Sequence, residues 1–113
     1  MKQKILLIFQ DWQFKLDNDE WYFQNAFEEL TIGLTPVEAY DSIPTIIEVL
    51  FEMEDHFLIE ETMDILLGIY HIADTTEIHP FIEMQQIEQH LDKYHSVYGK
   101  VCLNELKRLL RID

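Results

Sequence analysis

A chain of 113 residues is long enough for one domain and short for two. Hydrophobic residues make up 48% of it, seven Phe and two Trp among them, so the formal net charge of −14 does not imply disorder. One cysteine excludes an intrachain disulfide and makes a reducing compartment the default. Three Gly and three Pro are too few for a turn-rich sandwich or barrel, and the expected class is all-α.

In chain order, residues 4–16 carry Ile5, Ile8, Phe9, Trp12 and Leu16 at the spacing of a first helix, although Ile5–Phe9 alone also fits a buried strand. Asp17, Asn18 and Asp19 supply caps for a second helix, roughly 19–32, with Trp21, Phe23, Phe27 and Leu30 apolar; Gly33 ends it. Trp21, Tyr22 and Phe23 cannot all face inward on one helix, so one of them is expected at the surface. Thr35-Pro36-Val37-Glu38 combines a capping box with proline at the first helical position. The helix it opens should be short, because Pro44 interrupts; another then runs to about Glu54 with Ile46, Ile47, Leu50 and Phe51 inward. A helix over about 57–72 turns Ile59, Met63, Leu66, Ile69 and Tyr70 to the core. Asp74-Thr75-Thr76 breaks the chain, and Pro80 opens a helix to about Tyr94. Ser96 caps the last one, 97–112, with Val101, Leu103, Leu106, Leu109 and Leu110 apolar. Short connections imply antiparallel hairpins, about 3–32, 36–73 and 80–112, in a single domain.

Sliding the chain by 40 residues sets Met63–Ile72 (MDILLGIYHI) on Leu103–Ile112 (LNELKRLLRI), Ile47 on Ile87 and Phe51 on Leu91. Such a period marks stacked helical repeats. Ile43–Phe51 (IPTIIEVLF) followed by Ile65–Ile69 (ILLGI) resembles the paired helices of HEAT-like α-repeats, well over 43–72 and fairly over 83–112. That resemblance implies hairpins stacked in a short HEAT-like α-solenoid. On the helix over 57–72 the outward stripe is expected to be Glu60, Asp64, Leu67 or Gly68, and His71. Forty residues later it reads Lys100, Asn104, Lys107 or Arg108, and Arg111. The sign reverses, so the two stripes could pair along adjacent helices.

All eight bases lie at the ends: Lys2, Lys4 and Lys15, then Lys93, Lys100, Lys107, Arg108 and Arg111. From Leu16 to Asp92 there is none, while nineteen of the 22 acids fall there. Ordinary solvated helices mix signs to form i,i+4 pairs, and this block forgoes them. Its self-repulsion would be relieved by a cationic partner. Nucleic acid and anionic membrane are disfavoured as partners, since both need clustered bases. The apolar run Ile5–Phe9 is too short for a signal peptide, and no stretch approaches the ~20 residues of a membrane span, so the expected location is cytoplasmic.

Motifs for chemistry are missing. His90 and His95 are five apart and fall on different helix faces; there is no H-E-x-x-H, and a lone cysteine makes no zinc site. Gly33, Gly68 and Gly99 are isolated, so no phosphate-cradling loop exists, and G-x-S-x-G is absent. Carboxylate pairs are too abundant to single out a catalytic dyad. Cys102, between Val101 and Leu103, reads as a buried, inert thiol. The chain is therefore expected not to be an enzyme and to need no cofactor or metal; a small metalloenzyme using paired carboxylates and histidines is the reading this disfavours.

In size, acidity, single cysteine and lack of catalytic motifs, the chain resembles the immunity proteins of bacterial contact-dependent inhibition and related polymorphic toxin systems. The resemblance implies a protein that binds and neutralises a cationic toxin domain, commonly a nuclease, by covering its active site with an acidic surface. The alternative is an acidic α-repeat adaptor or regulatory subunit of another complex. Candidate partner-binding residues are Asp17, Asp19, Glu20 and Trp21 in the first hairpin, with Glu60, Asp64 and His71 on the outer stripe. Exposed aromatics beside carboxylates make interface anchors.

Overall fold

A computed structural model describes residues 1–112, and among these all regular structure is helical. Seven helices follow in order: α1 (Lys2–Phe9), α2 (Trp12–Asn18), α3 (Tyr22–Thr31), α4 (Pro36–Glu52), α5 (His56–Ala73), α6 (Met84–Lys93) and α7 (Val97–Leu109). The all-α expectation holds.

The first segment contains three helices where two were expected. Asp11 adopts the left-handed conformation (φ 53°) and separates α1 from α2; a short polar side chain tolerates that region better than most. Lys15 Nζ donates to the Leu7 carbonyl at 3.0 Å, satisfying an orphan acceptor at the end of α1. α3 starts later than its pattern implied, because Asp19 Oδ1 accepts the Trp21 amide and forms a turn there.

α4 overturns the reading of Pro44 as a break: the helix runs unbroken from Pro36 to Glu52 with Pro44 inside. Proline in a helix interior costs about 3 kcal/mol. Tertiary packing offsets that here, since Ile43, Ile46, Ile47, Val49 and Leu50 are all fully buried around it. The capping box is formed as expected, with Glu38 N–H donating to Thr35 Oγ1 and Thr35 N–H to Glu38 Oε1, both at 3.1 Å. Asp55 caps α5 through the amides of Phe57 and Leu58. Ser96 caps α7 through Gly99, whose missing side chain leaves room for the Ser96 hydroxyl and the Leu91 methyl. Pro80, however, lies in a turn closed by Ile82 N–H to His79 O, and α6 begins only at Met84.

α5 is the organising element. It packs along α4 and along α7; α6 covers α7, while α3 lies over α1 and α5. The molecule measures 40 × 34 × 20 Å, and the short dimension holds two layers of helices about 10 Å thick. The buried positions of α5 and α7 are related by forty residues: Ile59 with Gly99, Thr62 with Cys102, Met63 with Leu103, Leu66 with Leu106, Tyr70 with Leu110. Ile47 of α4 and Ile87 of α6 obey the same offset. α2 and α3 bury no residue completely. Their aromatics instead form a half-exposed cluster in which Trp12 stacks on Phe57 (4.5 Å between centroids, planes 10° apart) and Phe23 packs against both.

A connection of ten residues, 74–83, joins α5 to α6. The fully buried Tyr70 holds it: its hydroxyl donates to the Glu77 carbonyl at 3.1 Å and accepts the His79 amide at 3.0 Å. Asp74, left-handed at φ 52°, starts this connection.

Candidate partner surface and the cleft between α3 and α5

The two charged stripes do not pair with each other. Lys100 pairs with Asp92 and Lys107 with Glu88, both across to α6, while Arg108 pairs with Glu105 on its own helix. At the other end Lys2 bridges Glu48 and Glu52, at 3.2 and 3.0 Å. Of the nineteen acids between Leu16 and Asp92, only Glu48, Glu52, Glu88 and Asp92 have a Lys or Arg partner among the described residues. The remainder, except half-buried Glu60, Glu61 and Asp64, stand exposed to solvent.

The candidate residues divide into three groups. Asp17 is exposed in the last turn of α2, and Glu20 in the turn that follows. Asp19 is partly committed to that turn through the Trp21 amide and, at 3.5 Å, the Asn25 side chain. Of the three consecutive aromatics it is Trp21 that reaches the surface, 59% exposed; Phe14 is 72% exposed on the preceding helix. Tyr22 turns inward and donates its hydroxyl to the Ile8 carbonyl at 2.7 Å.

Glu60 and Asp64 are not on a free stripe. Both are half-buried because α7 packs over this side of α5. Glu60 lies 3.8 Å from the His56 ring, an ion pair when that ring is protonated. Asp64 Oδ1 accepts the Tyr98 hydroxyl at 2.8 Å and lies 3.6 Å from the Cys102 thiol. This hydrogen bond, with burial behind it, raises the Tyr98 phenol above its ordinary value. Burial, followed by the Asp64 charge, pushes the Cys102 thiol up to about 12. Such a thiol is protonated at neutral pH, consistent with the inert reading from sequence. His71 is exposed two turns further on, in a shallow recess with Tyr70, Asp74 and Thr75. It shares no cavity with the other candidates.

Asp19 and Asp64 line two adjoining depressions. Asp19 lines an open cavity of about 570 Å³ between α1 and α3, with Lys4, Leu7, Asn25 and Glu29. Asp64 lines a cleft of about 300 Å³ between α3 and α5. The two depressions share Ile8, Ala26 and Leu30 as an apolar divide.

The second cleft contains a residue that sequence reasoning passed over. Phe23, Phe27, Leu30 and Ile65 form its apolar walls, and Glu61 projects into it beside Asp64. Glu61 makes no hydrogen bond or ion pair among the described residues, and its carboxyl is raised from 4.5 to about 7 by burial first, then by the charges of Asp64 and Glu60. The available signal was its spacing: Glu61, Asp64, Ile65 and Gly68 share one face of α5, at i, i+3, i+4 and i+7. Gly68 marks the face that meets α3 closely, since a Cβ there would lie 2.5 Å from Phe27 Cζ.

Among the described residues, no three His, Cys, Asp or Glu side chains are arranged to hold a metal ion. Among the described residues, no helix is long and apolar enough to cross a membrane. Comparison of the chain with protein-family models, curated proteins and solved structures found no match.

Proposed function

We propose that this protein is a binding module for a basic protein, of the immunity type: it neutralises a cationic toxin domain, a nuclease in the leading case, by covering the toxin's active site. One observation carries the reading. The segment from Leu16 to Asp92 has nineteen acids and no base, and the bases at the two ends reach only four of those acids. The field left over repels its own chain and attracts positive charge. A nuclease cleft is basic because it holds phosphates, so an acidic surface fits it as a phosphate substitute. Asp17, Asp19, Glu20 and Trp21 are the favoured contacts, an exposed indole that follows three exposed carboxylates in the chain. Binding takes place in the cytoplasm in this reading and involves neither nucleic acid nor a lipid surface.

The buried positions repeating at forty residues on α5 and α7 support a short HEAT-like solenoid as the frame. The same repetition fits an adaptor subunit, and a gene neighbouring a large secreted toxin would separate the two.

The test is capture from the native host with the full chain, identification of the bound protein, and stopped-flow association with it over 50–500 mM salt. Expected are a basic partner and an on-rate that falls about tenfold or more across that range. The double variant Asp17→Lys/Glu20→Lys should slow association while leaving helicity unchanged. An on-rate indifferent to salt would refute the electrostatic mechanism. Asp64→Lys is unsuitable for this purpose, because it removes the acceptor of the Tyr98 hydroxyl and places a cation beside the Cys102 thiol.

A further inference from the structure

We infer that the cleft between α3 and α5 receives a single arginine side chain of the protein partner, its guanidinium on Glu61 and Asp64 and its alkyl stem along Phe27 and Leu30. This rests on the proposal that the partner is a basic protein and says where that partner inserts.

Size is the first argument. About 300 Å³ lies at the lower bound of small-molecule sites, and suits one long side chain better than a cofactor. Composition is the second. Apart from Gln24 the walls are apolar and aromatic, and among the described residues the charged groups lining the cleft are two carboxylates. The occupant that complements both is a cation on a hydrocarbon stem. A bare metal ion matches only the charge, and no three-ligand arrangement is present among the described residues. The third argument is what the carboxylates lack. Asp64 spends Oδ1 on Tyr98 and Cys102 and keeps Oδ2 open; Glu61 has no partner at all among the described residues. An unpaired carboxylate facing apolar walls is destabilised in its charged form, and an incoming cation offsets that penalty with an attractive charge. Arginine is preferred to lysine because its guanidinium is planar, weakly hydrated, able to span two carboxylates and suited to the faces of Phe23 and Phe27.

The cleft also dictates how binding depends on pH. The groups facing Glu61 are Glu60 and Asp64 on α5; α3 contributes the uncharged Phe23, Gln24, Phe27 and Leu30, and α1 the uncharged Ile8. Tyr98 and Cys102 of α7 stand behind Asp64, and both remain protonated near neutrality. The Glu61 carboxyl, raised to about 7 by burial and by the charges of Asp64 and Glu60, changes its ionisation near neutral pH. A guanidinium favours its ionised form, so affinity should rise as pH rises from 5.5 to 8.

The experiment uses the isolated full chain and n-butylguanidinium as probe, followed by amide chemical shifts in two-dimensional NMR. Expected are saturable shifts confined to residues around Phe27, Glu61, Ile65 and Gly68. Affinity should drop about tenfold in Glu61→Gln and to a lesser degree in Asp64→Asn, which keeps an acceptor for Tyr98. Thermal unfolding of each variant shows that it is folded. The rise of affinity with pH should vanish in Glu61→Gln. Guanidinium ion without the butyl stem binding equally well would overturn the use of the apolar walls, and n-butylammonium binding equally well would overturn the choice of arginine. Shifts spread evenly over the acidic surface would overturn the site itself. Because no partner is needed, this experiment can fail while salt-dependent capture succeeds, or succeed while capture fails.

Discussion

Replacing Glu61 by Gln should make the protein more stable, and more so as the pH rises. A carboxyl raised on folding binds protons more tightly in the native state, so its ionisation opposes folding. The sign is as follows: below pH 4.5 the group is protonated in both states and contributes no penalty. Between 4.5 and about 7 the penalty grows, and above 7 it is complete. A change from 4.5 to about 7 corresponds to at most ~3.4 kcal/mol. The side chain is only half-buried, and solvent screening reduces the figure to about 1–2 kcal/mol. For a domain of this size that is a rise in Tm of roughly 4–10 °C above pH 7. Calorimetry or circular dichroism melts of wild type and Glu61→Gln at pH 5 and pH 8.5 provide the measurement. Removing any acid from so acidic a chain has a general effect, so Glu28→Gln, at an exposed position of α3, is the control. The reasoning fails if Glu61→Gln gains no more than the control at pH 8.5, or gains equally at both pH values.

Three further perturbations probe the frame. Pro44→Ala should raise stability by about 1–3 kcal/mol in urea titration, since it restores a donor to the Tyr40 carbonyl within an intact α4; a loss would mean that the proline ring is needed for packing. Gly99→Ala should cost about 2 kcal/mol by chemical denaturation, because the new Cβ would meet Ser96 Oγ at 2.5 Å and Leu91 Cδ2 at 2.7 Å and would disturb the cap of α7. Tyr70→Phe should open the 74–83 connection to proteases at native conditions, while lowering global stability by about 1–3 kcal/mol; unchanged cleavage would show that the hydroxyl does not hold the connection.

Where local chemistry decides structure, the residues could be read directly. Thr35-Pro36-Val37-Glu38 and Ser96 name their caps because cap and partner are only three residues apart. The forty-residue repetition likewise reappears in the burial of α5 and α7. Pro44 was misjudged because its local cost is real, and the compensation comes from five buried neighbours that no local rule counts. The stripe on α5 was misjudged for a related reason: Glu60 and Asp64 face outward on an isolated helix, and only the arrival of α7 half-covers them. Glu61 was illegible as a special residue among so many carboxylates. Its distinction is an environment assembled from α1, α3 and α5, and not its type or its neighbours in the chain.

The Tyr70 hydroxyl has a consequence for assembly. Exchange of C-terminal halves between two copies would require the 74–83 connection to extend away from α5. Straightening the 74–83 segment would strip both hydrogen bonds from a phenol that is otherwise fully buried. Such an exchange would therefore cost both of those hydrogen bonds.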